Sequence, residues 1–186
     1  MNIRTSRIMV LLGVAAIVAM ISMGCAKKAP QDAGKLIQDG LQSYKQGDYQ
    51  KAMDMFTQAV DADPKNAEAH FFKGNCLALL GKKQEAIAEY DKSIQLAPNV
   101  PQPYYNEGNA YASLGKDKEA LEAFDKAIER EPTYGKAYYN KAMVLSRMGR
   151  TREAQEALAK ARSAGGQLPG QPGQPAQPPQ GAAPGK

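Results

Sequence analysis

The sequence predicts an all-α array of helical pairs, and three sets of equally spaced residues carry that prediction. Gly47, Gly81, Gly115 and Gly149 lie 34 residues apart, and so do Ala52, Ala86, Ala120 and Ala154. Pro64, Pro98 and Pro132 keep the same spacing. A unit of this length cannot bury its apolar face alone and must stack on copies of itself. Aligned on the prolines, the chain divides into four units, 33–66, 67–100, 101–134 and 135–168.

Within each unit the elements follow from local chemistry. An apolar-periodic stretch of about 14 residues opens the unit as a helix and ends before the glycine. Glycine takes positive φ without strain, so Gly47, Gly81, Gly115 and Gly149 mark chain reversals. A second helix follows, and the prolines stand just past it, where they cannot continue it. Ala52, Ala86, Ala120 and Ala154 fit a close helix contact that admits only a methyl group. Phe56, Tyr90, Phe124 and Leu158 follow four residues later on the same face. In the last unit Gln155 replaces Met53, Ile87 and Leu121, and Arg162 replaces Val60, Ile94 and Ile128. Polar residues there suit a terminal unit with no neighbour to cover it, so the second helix of 135–168 is expected to cap the stack.

These residues resemble the tetratricopeptide repeat. Its pattern of glycine, aromatic, alanine, aromatic, alanine and proline stands in the third unit as Gly108, Tyr111, Ala120, Phe124, Ala127 and Pro132. The second unit carries Gly74, Leu77, Ala86, Tyr90, Ser93 and Pro98. The first matches at Gly40, Ala52, Phe56, Ala59 and Pro64, with Ser43 where an aromatic or leucine is usual. The fourth has Ala142, Leu145, Ala154, Leu158 and Ala161 and lacks the proline. The resemblance covers about seven-tenths of the chain and implies a right-handed superhelical α-solenoid.

The family's first helices line a concave groove. By position, the resemblance assigns to that groove Ile37, Leu41 and Tyr44, then Phe71 and Asn75, then Tyr105, Asn106 and Asn109, and finally Lys136, Tyr139, Asn140 and Met143. Apolar anchors alternating with amides suit an extended peptide or a helix, because rings supply area and amides bond its backbone. Some members grip a C-terminal carboxylate with three cations and two asparagines. Here Asn75, Asn106 and Lys136 fall at three of those places, whereas Phe71 and Asn140 replace cations. A general groove is therefore the expectation.

The N-terminus indicates a location. Arg4 and Arg7 precede an uncharged run of 14 residues, Ile8 to Ile21, the layout of a secretory leader. The run falls short of the roughly 20 apolar residues that span a bilayer. It ends at Ser22-Met23-Gly24-Cys25, which resembles the lipobox of bacterial lipoproteins, although Ser22 and Met23 depart from its usual leucine and alanine. The resemblance implies a signal peptide at 1–24, lipidation (palmitate among the chains) at Cys25 and a linker over 25–32. More than one acyl chain would hold the protein on the membrane. The same resemblance implies, from Ala26 after the cysteine, the outer rather than the inner membrane. The alternative is an uncleaved signal anchor with Cys25 incidental.

Composition narrows the function. The formal charge of +5 becomes +3 without Arg4 and Arg7, and lysines sit beside acids, as in Lys116-Asp117-Lys118-Glu119. Nucleic acid needs a concentrated cationic patch, and none is present in the sequence. His70 is the single histidine and falls where helix packs on helix. No cysteine pair or acidic cluster offers metal ligands, and the glycines punctuate turns instead of cradling phosphate. No cofactor and no catalysis are expected. Cys76 reads as a packed thiol. A tail at 169–186, rich in proline, glycine and glutamine from Gly165 onward, has little to bury against its ordering entropy. The expected protein is thus an envelope lipoprotein that recruits a protein partner through its groove and assists assembly of an envelope complex. The alternatives are capture of a small ligand or glycan on concave tyrosines, and a structural wall tether working through the tail.

Overall fold

A computed structural model describes residues 32–164. The leader, the lipidation position Cys25, nearly all of the 25–32 linker and the 169–186 tail lie outside the described residues. Eight α-helices follow one another in the described residues: α1 Ala33–Lys45, α2 Tyr49–Ala62, α3 Ala67–Leu79, α4 Lys83–Leu96, α5 Pro101–Ser113, α6 Asp117–Arg130, α7 Gly135–Arg147 and α8 Thr151–Ser163. No strand occurs among them, and none of these helices is long and apolar enough to cross a membrane.

The turn within each pair has one recurring geometry. The four turn glycines have φ between +73° and +82°, a region closed to most side chains. In the second turn the Gly81 amide donates to the Ala78 carbonyl at 3.1 Å and the Lys82 amide to the Leu77 carbonyl at 2.8 Å. That double bond is the Schellman closure of a helix C-terminus, and it recurs at Lys116 to Tyr111 and Arg150 to Leu145. Helix starts are set as locally. Asp32, Asp48 and Asn66 cap α1, α2 and α3 through their side chains, and Pro101 opens α5, where its missing N–H is not needed.

Packing within a pair depends on the other glycines. A Cβ on Gly40, Gly74 or Gly108 would stand 2.8, 2.7 or 2.6 Å from the ring of Phe56, Tyr90 or Phe124. Each glycine therefore lets the ring of the second helix lie against the backbone of the first. The fourth pair makes the complementary exchange, with Ala142 buried and Leu158, a smaller side chain, at the ring's position. Four apolar clusters run along the stack. One joins Ile37, Ala52, Phe56, Phe72 and Cys76, and another joins Phe124, Ala142, Val144, Leu145 and Ala157. Cys76 is fully buried, as a packed thiol should be, and burial pushes its pKa up to about 12.

Both ends of the stack are polar. Gln155 and Arg162 on α8 are exposed, as a terminal unit requires. The outer face of α1 mirrors this, a polar end beyond the sequence-based expectations. Lys35 and Gln42 are exposed, whereas Ala69, Pro103 and Ala137, and likewise Cys76, Ala110 and Val144, fill the equivalent positions as buried contacts with the preceding pair.

Two buried charged groups lie between helices. Glu89 on α4 receives His70 Nδ1 at 2.6 Å and Lys73 Nζ at 3.1 Å, both from α3, with Lys92 Nζ at 3.4 Å. Burial alone would raise the carboxyl pKa, but the hydrogen bonds from His70 and Lys73 outweigh it and hold it below the ordinary value. The His70 Nε2 meets the Pro64 carbonyl at 3.2 Å. The histidine thus ties two helices and a turn together, as expected of a packing position. Glu107 on α5 is the second buried charge. Burial, then the charge of and hydrogen bond to Asp91 on α4, push its pKa up to about 7.

Candidate partner-binding groove

The odd-numbered helices touch one another, α3 with α5 and α5 with α7, as elements do on the inside of a curve. Their facing side chains form a ladder of amides and hydroxyls. Asn75 Oδ1 on α3 accepts from the Tyr90 hydroxyl at 2.9 Å and from Asn106 Nδ2 on α5 at 2.7 Å. One step on, Asn140 Nδ2 on α7 donates to Asn109 Oδ1 at 2.6 Å and to the Tyr105 hydroxyl at 3.1 Å, both on α5. The ladder satisfies one end of each amide. The Asn106 and Asn140 carbonyls and the Asn109 amino group remain outside these bonds, on half-buried residues. Acceptors and donors so placed match the needs of an extended backbone.

Rings alternate with the amides. Phe71 lies 5.1 Å from Phe72 and 6.2 Å from Tyr90, and Tyr105 lies 6.0 Å from Phe124 and 5.2 Å from Tyr134. In both pairs a ring of the odd helix rests on the buried ring of its even partner, which fixes it as a rigid platform. Tyr139 is half-buried at the next equivalent position, and Met143 beyond it is 43% exposed. Lys136 is exposed at the α7 N-terminal end. In the first pair Leu41 and Tyr44 are half-buried, and Tyr44 packs edge-on to Tyr49 and Phe72. Burial raises the Tyr44 hydroxyl pKa to about 12.

Two of the residues assigned to the groove sit deeper than that assignment implies. Ile37 is 5% exposed and belongs to the core with Ala52 and Phe56. It occupies the position of Phe71, Tyr105 and Tyr139, but it is too short to reach past the core, whereas the rings extend to the surface. Asn75 is buried beneath the ladder, and both hydrogen bonds to its carbonyl come from within the protein. It shapes the floor and orients Asn106. The two tyrosine pairs also differ from each other. Tyr104 is buried and Tyr105 half-buried, but Tyr138 and Tyr139 are both half-buried, with Lys160 Nζ of α8 5.9 Å from the Tyr138 ring centre.

Tyr90 and Tyr134 are the contributors that sequence reading missed. Among the four second-helix core positions only Tyr90 carries a hydroxyl, and that was the available signal. Among the described residues no group of three metal-ligating side chains assembles.

Three tetratricopeptide-repeat models match the chain, at residues 40–101, 101–134 and 123–156. No curated protein sequence matches at a significant level. Several solved structures are similar. A crystal structure of MamA is 26% identical with a TM-score of 0.71, covering 74% of this chain and 80% of that one. YrrB, described as a TPR protein with an unusual peptide-binding site, is 25% identical with a TM-score of 0.64, covering 71% and 68%. The first TPR of Spaghetti, bound to an HSP90 peptide, is 26% identical with a TM-score of 0.57, covering 73% and 99%. Repeat spacing, paired helices, turn geometry and the three matching models agree, and the chain belongs to the tetratricopeptide-repeat family.

Proposed function

We propose that this protein is a lipid-anchored scaffold of the bacterial envelope that holds a segment of a partner protein along its odd-numbered helices. The observation that carries the reading is the amide ladder. It spans α3, α5 and α7, fixes four asparagines and leaves two carbonyls and one amino group outside its bonds beside ring platforms. Similar TPR structures with a described peptide-binding site or a bound peptide support a peptide as the ligand. Anchoring rests on the leader and Cys25, and so does the periplasmic side, with the outer membrane favoured by Ala26. Assembly of an envelope complex is the role that a membrane-held groove of this kind serves.

The carboxylate-gripping variant of such grooves is a poorer fit. The two asparagines it would use, Asn75 and Asn106, bond each other, and Phe71 and Asn140 stand where it needs cations.

Crosslinking in cells, followed by purification from membranes and mass spectrometry, tests the proposal. The comparison variant carries Asn106→Ala, Tyr139→Ala and Met143→Ala, which leave the buried Asn75 in place. A partner enriched with the wild type and lost with an equally folded variant is the expected result. Equal recovery from both would remove the groove from the mechanism. A parallel Cys25→Ser variant should move the protein from the membrane fraction to the soluble one.

A further inference from the structure

We infer that the groove has a resident occupant, the chain's own proline-glutamine segment 169–180, which lies along α7, α5 and α3 as a polyproline II helix and competes with outside partners. The inference rests on the reading of the odd helices as a ligand groove and adds a regulator to it.

The first observation is a period. Prolines stand at 169, 172, 175 and 178, and glutamines at 171, 174, 177 and 180. Polyproline II has three residues per turn, so this spacing puts the prolines on one face and the glutamines on another. The remaining positions, Gly170, Gly173, Ala176 and Pro179, are mostly small.

The second is a match of pitch. One turn of polyproline II advances about 9.3 Å. Packed helices lie about 8–10 Å apart, and α3, α5 and α7 touch one another in order. A polyproline II helix crossing them therefore meets one odd helix per turn. Each odd helix offers one ring, Phe71, Tyr105 or Tyr139, at 34-residue intervals, with amides beside the first two and Asn140 beside the third. Prolines stack on such rings at low entropic cost, and glutamine amides suit the carbonyls and amino group left outside the ladder.

Charge and reach agree. No charged residue occurs between Ser163 and Gly185, and the ring and amide positions of the groove are uncharged, in an array otherwise rich in Lys, Glu and Asp. The 12 residues of the segment extend about 37 Å in this conformation, ample for the roughly 20 Å from α7 across α5 to α3. The path is short as well. Each earlier pair ends about where its successor's odd helix begins, beside the preceding odd helix. The chain leaving α8 after Ser163 is therefore delivered next to α7, and residues 165–168 add up to about 14 Å of reach.

The test uses side-chain amide resonances of Asn106, Asn109 and Asn140 by nuclear magnetic resonance, with the full chain in detergent. Three forms are compared: wild type, a chain ending at Ala164, and a full-length chain lacking Gln174 alone, which keeps composition but breaks the period. A synthetic peptide of residues 165–186 is titrated into the shortened chain. The expected result is that shortening shifts the three resonances at any protein concentration and the peptide returns them. Loss of Gln174 should leave the full chain looking like the shortened one and weaken the corresponding peptide about tenfold, the equivalent of one lost ring contact. Coincident resonances in wild type and shortened chains, unmoved by peptide, would overturn the inference. Shifts that grow with protein concentration would also overturn it, because the tail would then be entering a second copy. Crosslinking the shortened chain to a groove-dependent partner tests the groove itself separately, so the two ideas can fail independently.

Discussion

Gly108 and Phe124 form a contact whose energy can be worked out from geometry. A Cβ on Gly108 would stand 2.6 Å from Phe124 Cε1, 2.7 Å from Cδ1 and 3.1 Å from Cζ, and Phe124 is fully buried. The ring cannot swing away without disturbing its neighbours, so Gly108→Ala should bring an overpacking penalty of about 1–3 kcal/mol. Replacing glycine by alanine within a helix returns about 1 kcal/mol of helix propensity, leaving a net loss of about 0–2 kcal/mol. Phe124→Leu alone removes buried atoms and opens a cavity, which should cost about 1–2 kcal/mol, below the range for loss of the whole ring. The fourth pair already uses the combination, with Ala142 on the first helix and Leu158 on the second. The double variant should therefore lose at least about 1 kcal/mol less than the two single losses added together. Urea unfolding of all four proteins, followed by helical circular dichroism at constant slope, measures that coupling. Additive losses within about 0.4 kcal/mol would show that the ring and the glycine do not compete for the same space. The glycine would then need another explanation.

The remaining predictions concern charge and reactivity. Glu107 has a folded pKa raised to about 7 from 4.5, by burial first and then by Asp91. An acid raised in the folded state leaves stability intact below pH 4.5, and stability then falls as pH rises toward 7. Glu107→Gln should thus stabilise the protein at pH 8, on the order of 1–2 kcal/mol after discounting for solvent screening, and by little at pH 4. Equal effects at both pH values in urea melts would contradict this. Glu89 is the opposite case, its pKa lowered because the His70 and Lys73 hydrogen bonds outweigh burial. The stability it contributes is present above the ordinary carboxylate range and is lost as pH falls through its lowered folded value. Glu89→Gln should cost about 2–3 kcal/mol at pH 7 by leaving His70 and Lys73 without their shared partner, and should flatten the acid limb of the stability profile. Cys76, buried with its pKa near 12, should react with a thiol reagent only as fast as the fold opens. Rapid labelling of the native Cys25→Ser protein would refute the packing assigned to it.

Features set by repetition were legible in the sequence, because the 34-residue period reports the fold unit directly. The turn glycines, the small residue under each ring and the polar end of α8 all lie on that period, and each stands where the spacing put it. The ladder was harder to see because it runs on a different interval. Asn75 bonds Asn106 and Asn109 bonds Asn140, both 31 residues apart. Successive odd helices meet one turn out of register, at 34 minus 3, so an alignment by equivalent positions never sets the bonded partners side by side. Groove membership itself was assigned by equivalent position, and it failed in detail at Ile37, where the position is the same but the side chain is too short to reach past the core.

The buried carboxyl of Glu107 was invisible for a different reason. An isolated acid on a helix reads as solvated, and only the approach of α4 brings Asp91 against it. Both buried acids join consecutive helices, Glu89 within a pair and Glu107 between pairs. Neither acid is a member of the amide ladder, although Glu107 directly follows Asn106 and its partner Asp91 directly follows Tyr90. Because the Glu107 pKa is pushed up to about 7, substitutions in the ladder are best compared for binding at one fixed pH well away from that value, where the charge state that holds the stack does not change and the asparagines are the cleaner place to test what the groove holds.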